Sequence, residues 1–142
     1  MNEDIYHEWS RHYDTMQWTV GGILLSAIGA LYIYTLEHYH LHLTLAGAIL
    51  TLACVFFTAS FRRLRRVAQS KVQKVEDREI LLNSGMFRQW PLNMAMQAVV
   101  FTAWIRILWI HEPAGRCGWL LAGVLGWIFI GIYFVKADEK PA

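Results

Sequence analysis

"LTLAGAILTLACVFFTASFRRLRR", residues 43–66, carries no charged side chain for its first 19 positions and then four arginines within five. A helix of 19 residues rises about 28 Å, close to the ~30 Å of a bilayer's hydrocarbon core. The run reads as a membrane span closed by a basic stop. The same reading extends outward in both directions. Residues 18–36, 92–110 and 117–135 are apolar blocks of the same length, with Arg106 as the one charged side chain among the four. A water-soluble helix bundle of this size would carry charge along one face of every helix. The fold class is therefore an all-α, polytopic membrane protein. One four-span domain covers residues 1–142, with a loop at 62–91.

Composition agrees. Of 142 residues, 56% are hydrophobic, with seven Trp, six Tyr and seven Phe, above the apolar share of an ordinary soluble domain. The opening "MNEDIYHEWSRHYD" is acidic and mixed in charge, unlike the basic start of a secretory signal. Cys54 falls mid-span and Cys117 at a span end, too far apart in depth for a disulfide.

Eight of the 13 lysines and arginines lie between the second and third spans. The positive-inside rule then places that loop, and with it both termini, in the cytoplasm. Arg62, Arg63, Arg65, Arg66, Lys71 and Lys74 are read as an anchor contacting anionic lipid headgroups or a partner protein, and not as a nucleic-acid site. Phe61, Leu64, Ala68, Val72 and Val75 recur at three- and four-residue spacing, so the loop is expected to form a basic amphipathic helix. That helix either lies on the membrane or prolongs span two as a rod. It stops at Asn83–Gly85, and Pro91 opens span three. A short interfacial helix with Ile5, Trp9, Tyr13 and Met16 on one face is expected before span one. Its wet side would be His7, Glu8, Arg11, His12 and Asp14.

Candidate sites follow from the polar residues inside or beside the spans. In span two, Thr44, Gly47, Thr51, Cys54 and Thr58 share an arc of about 80° at 100° per residue. Small and hydroxyl side chains on one face mean close helix packing or a pore lining. Span one offers a similar ridge, Gly22, Ser26 and Ala30 with Gly29, and span four Ala122 and Gly126. These are expected to meet one another within the chain. Asn93, Gln97 and Arg106 are the intramembrane polar residues of span three, and such residues are functional candidates by default. His38, His40 and His42 alternate in "HYHLH", so in an extended chain they would face one way and form a weak metal-site candidate. No cofactor or catalytic motif is present, and an enzyme is not expected.

The segment "HEWSRHYDTMQW", two spans, and then "FRRLRRVAQSKVQKVEDREILLNSG" resemble, over residues 5–85, the SLATT-type membrane modules of bacterial conflict systems. The resemblance implies a membrane-perturbing or pore-forming effector in a bacterial inner membrane. Two further spans depart from that layout, and a trigger would come from a separate protein. The expectation is a homo-oligomeric protein that forms or gates a conduit. The alternative is a non-conducting sensor or adaptor docking a cytoplasmic partner through residues 62–90. The embedded glutamate of small multidrug transporters is missing, since no acidic residue lies between Asp14 and Glu37.

Overall fold

The computed structural model describes residues 3–71 and 86–138. They form four helices: α1, Glu3–Glu37; α2, Leu41–Ser70; α3, Met86–His111; and α4, Arg116–Asp138. A single 3₁₀ turn, Pro113–Gly115, joins α3 to α4. All four helices are long and apolar enough to cross a membrane, as the four apolar blocks require.

Two helices overrun the bilayer. α1 has 35 residues and α2 has 30, about 52 and 45 Å at 1.5 Å per residue. Both extensions project at the end that carries Arg62–Arg66, called here the basic end. The separate interfacial helix expected before span one is absent. Residues 3–37 are one unbroken helix, because no Gly or Pro interrupts the chain between Glu3 and Val20. Span two likewise continues as a rod through Ser70. Lys74, Val72, Val75 and the stop at Asn83–Gly85 lie outside the described residues. α3 starts at Met86, so Pro91 sits inside it and not at its first position. There its missing N–H leaves the Phe87 carbonyl without the usual helical donor.

At the opposite end the connections are short. α1 closes with the His38 N–H donating to the Tyr34 carbonyl, and α2 opens with the Thr44 N–H on the His40 carbonyl. Three residues, His38–His40, make the turn, so α1 and α2 form an antiparallel hairpin. α2 is the central element and touches each of the other helices.

Lipid is as apolar as leucine, so packing quality rather than burial of oil must hold membrane helices together. α3 meets that demand by seating large side chains in glycine notches. A β-carbon on Gly47 of α2 would lie 2.7 Å from Trp104 Cε2, and nearer still to Cζ2 and Cη2. One on Gly126 of α4 would strike the Phe101 ring. Trp104 is fully buried, and Tyr32 of α1 stands edge-on to it at 5.2 Å.

The outward faces are apolar. Ile23 is 65% exposed and Val99 68%, as fits lipid-facing positions. The small ridge of α1 faces the same way. Gly22 and Gly29 have no neighbour within 4 Å of a built β-carbon, and Ser26 and Ala30 are exposed. The expectation that this ridge is satisfied within the chain does not hold among the described residues. Of the span-four pair, Gly126 is buried and Ala122 exposed.

Candidate functional site

Both helices of the hairpin follow a repeat of 3.5 residues. On α1 the inward positions are Ser10, Asp14, Gln17, Gly21, Leu24, Ile28, Leu31 and Thr35, all buried or half-buried. On α2 they are Thr44, Ala48, Thr51, Val55, Thr58, Arg62 and Arg65, all buried. Alternating steps of three and four keep one seam facing its partner, as in a left-handed coiled coil. Arg65 Nη1 donates to Asp14 Oδ1 at 2.9 Å. That pair sets the register: Gln17 stands opposite Arg62, Gly21 opposite Thr58, Ile28 opposite Thr51 and Thr35 opposite Thr44.

The seam is polar along much of its length. Each threonine hydroxyl donates back to its own helix: Thr35 to Leu31 at 2.7 Å, Thr44 to His40 at 3.0 Å, Thr51 to Gly47 at 2.8 Å and Thr58 to Cys54 at 2.7 Å. Such back-bonding satisfies a hydroxyl inside a helix without a partner helix. The face Thr44–Gly47–Thr51–Cys54–Thr58 is thus buried in this conformation, with Trp104 on Gly47.

From α3, Gln97 reaches into the seam and is 4% exposed. Its Nε2 donates to Thr58 Oγ1 at 3.3 Å and to Cys54 Sγ at 3.6 Å. Its Oε1 has no hydrogen-bond partner among the described residues. Beside it lies a partly enclosed cavity of about 100 Å³, bounded by Gln17, Gly21, Gly22, Thr58, Met96 and Gln97. That is room for roughly three waters at ~30 Å³ each. The cavity sits between the Asp14–Arg65 pair on one side and the Trp104–Tyr32 contact on the other. It offers hydrogen-bond acceptors and amide donors but no carboxylate, so it suits polar solvation and not acid–base chemistry.

The arginines of the basic end turn out differently from the amphipathic reading. Arg62 and Arg65 are each 8% exposed, and Arg65 meets Asp14 of α1, while Leu64 is 44% exposed and Val67 40%. Of the stripe Phe61, Leu64 and Ala68, Leu64 is exposed, Phe61 half-buried and Ala68 buried. The hairpin buries two of the arginines as well, and Asp14 of α1 meets Arg65. Arg63 is exposed, as is Lys71 at the helix end. Asp14 belongs to the seam and not to a wet face.

The histidines do not gather. Residues 41 onward are helical, so the extended chain that would align His38, His40 and His42 does not exist. Among the described residues no group of His, Cys, Asp or Glu is placed to hold a metal. His38 tilts against Tyr34 at 5.3 Å, and His40 and His42 are exposed. The polar contact at this end is made by residues that the sequence did not single out as a pair. Tyr39 donates its hydroxyl to Glu112 at 2.8 Å and stacks on His111 at 4.2 Å and 11°. Partial burial and the Glu112 carboxylate push the Tyr39 hydroxyl up to about 12.

Arg106 stays outside the seam, exposed on the far side of α3. Asn93 lies in α3, its side chain outside the described residues. Asp14, Gln17 and Trp104 complete the site and were not among the sequence candidates. For Asp14 and Gln17 the signal was the 3.5-residue repeat on α1; Trp104, on α3, had none. Comparison of the chain with protein-family models, curated proteins and solved structures returned no match.

Proposed function

We propose that this multi-pass membrane protein assembles with copies of itself and that the assembly forms or gates a conduit. The observation that carries the reading is the polar seam. It holds the Asp14–Arg65 pair and the Gln97 cavity, and beyond that cavity Trp104 and Tyr32 fill the space between the helices, which is the layout of a path closed partway. The open ridge of Gly22, Ser26, Gly29 and Ala30 on α1 supplies a face where a helix of another copy can approach closely. The orientation belongs to the proposal: the basic end is cytoplasmic, with both termini on that side. The layout likeness to SLATT-type effector modules points to the same class and to a bacterial inner membrane.

A second reading has its own observation. Leu64 and Val67 are exposed on the part of α2 that projects past the apolar run, and this surface suits a cytoplasmic partner of a non-conducting adaptor. The two readings separate in reconstituted liposomes. The first expects an oligomer by native mass spectrometry, and ion or small-solute flux that rises when Trp104→Ala removes the plug. A monomer at every protein-to-lipid ratio overturns assembly. An oligomer that stays impermeable with Trp104→Ala overturns the conduit and leaves the docking reading.

A further inference from the structure

We propose that the groove between α3 and α4 binds an anionic phospholipid from the leaflet at the His111 end, with an acyl chain in the groove and the phosphate on Arg106. This groove, of about 740 Å³, is open along its side and lined by Ile105, Trp109, Leu120, Val124, Trp127 and Ile128. Its floor is set by Gly123, where a β-carbon would come within 3.3 Å of Ile105.

Two side chains in the groove are polar. Thr102 is already satisfied: its hydroxyl donates to the Ala98 carbonyl at 2.8 Å and accepts from Trp127 Nε1 at 3.2 Å. Arg106 has neither an ion pair nor a hydrogen bond among the described residues. It cannot shed its proton. It lies five residues below the end of α3, about 7.5 Å in depth, so its guanidinium reaches the headgroup level by snorkelling.

The anion that pairs with it must come from outside the chain. Glu112, the acidic residue of the α3–α4 turn, is engaged by Tyr39. A second copy of the protein does not supply one from within the bilayer, since none of the four apolar blocks contains Asp or Glu. A lipid phosphate does, and its geometry matches the planar fork of Arg. Net negative lipids are preferred because a second cation borders the groove. Arg116 lies 5.6 Å over the Trp109 ring and donates to the Trp109 carbonyl at 3.4 Å.

The test uses the full chain in detergent, with phosphatidylglycerol and phosphatidylcholine at equal concentration, read by native mass spectrometry. One phosphatidylglycerol per chain is expected, retained roughly five- to ten-fold over phosphatidylcholine, the scale of one charged contact. Arg106→Gln should erase the preference and Arg106→Lys should keep part of it, with helicity unchanged by circular dichroism. As a second readout, brominated phosphatidylglycerol in liposomes should quench tryptophan fluorescence more than brominated phosphatidylcholine, and Arg106→Gln should remove the difference. Equal retention of the two lipids by the wild type overturns the proposal. So does a preference that survives Arg106→Gln. A groove shielded from both brominated lipids by an oligomer contact also overturns it and assigns the face to a second copy.

Discussion

Replacing Gly47 by alanine adds one methyl group at the closest approach of α2 and α3. The new carbon would lie 2.7 Å from Trp104 Cε2 and closer to two further ring atoms. The indole is rigid and fully buried, with Tyr32 edge-on beside it, so it has no free direction in which to retreat. Overpacking of this kind costs about 1–3 kcal/mol. Alanine in place of glycine inside a helix returns up to about 1 kcal/mol. The net expectation for Gly47→Ala is a loss between about zero and 2 kcal/mol. Gly131→Ala is the control, because nothing lies within 4 Å of its built β-carbon, and only the helix gain remains. The two alanines should therefore differ by about 1–3 kcal/mol, or roughly 5- to 150-fold in the unfolding constant at about 1.4 kcal/mol per decade. The assay is unfolding in mixed micelles with rising dodecyl sulfate, followed by tryptophan fluorescence. The double variant Gly47→Ala with Trp104→Phe should cost less than the two singles added, by about 0.5 kcal/mol or more. If Gly47→Ala and Gly131→Ala move the midpoint equally, Trp104 is not seated on Gly47 and the packing account fails.

Asp14→Asn should cost about 1–2 kcal/mol by stripping Arg65 of its carboxylate, and exchanging the two charges, Asp14→Arg with Arg65→Asp, should recover much of it in the same unfolding assay. Gln97→Leu removes an acceptor with no partner among the described residues, so it should fall within about 1 kcal/mol of wild type, whereas Thr58→Val, which strands the Gln97 amide further, should cost about 1–3 kcal/mol. A large loss for Gln97→Leu would mean that the cavity holds tightly bound water. Tyr39 is held protonated in the folded protein, up to about 12 against an ordinary 10.0. Its contribution is therefore complete below pH 10 and is lost as pH rises from there through about 12. Ultraviolet titration of tyrosinate should show one late-titrating tyrosine that moves toward 10 in Glu112→Gln, and an unchanged curve would remove Glu112 as the cause.

The spans were legible because 19 uncharged residues in a row leave few alternatives, and three such runs recur beside a fourth broken only by Arg106. The face Thr44–Thr58 was legible as a face, since small and hydroxyl residues at helical spacing have to meet something. What they meet was not legible. Trp104 and Gly47 are joined only by the fold, and nothing in "FTAWIRIL" marks that tryptophan as inward. The burial of Arg62 and Arg65 was not legible, because nothing in the arginine run says which of its members meets α1. Asp14 lies 51 residues from Arg65 in the chain, and only the antiparallel hairpin brings the two together. The 3.5-residue repeat Ser10 to Thr35 was present in the sequence and hidden by its polar members, Ser10, Asp14 and Gln17. Tyr39 and Glu112 are brought together by two turns far apart in the chain, a pairing that spacing alone does not reveal.

The three-residue turn between α1 and α2 also bears on how the protein is made. The contacts between α1 and α2, the Asp14–Arg65 pair among them, lie within residues 3–71, whereas Gln97 joins the seam from α3. The Gly47 notch is not filled by anything in that segment. It is filled by Trp104 of α3, which comes later in the chain. A hairpin of α1 and α2 alone therefore leaves an empty slot on α2, and α3 is the element that closes it.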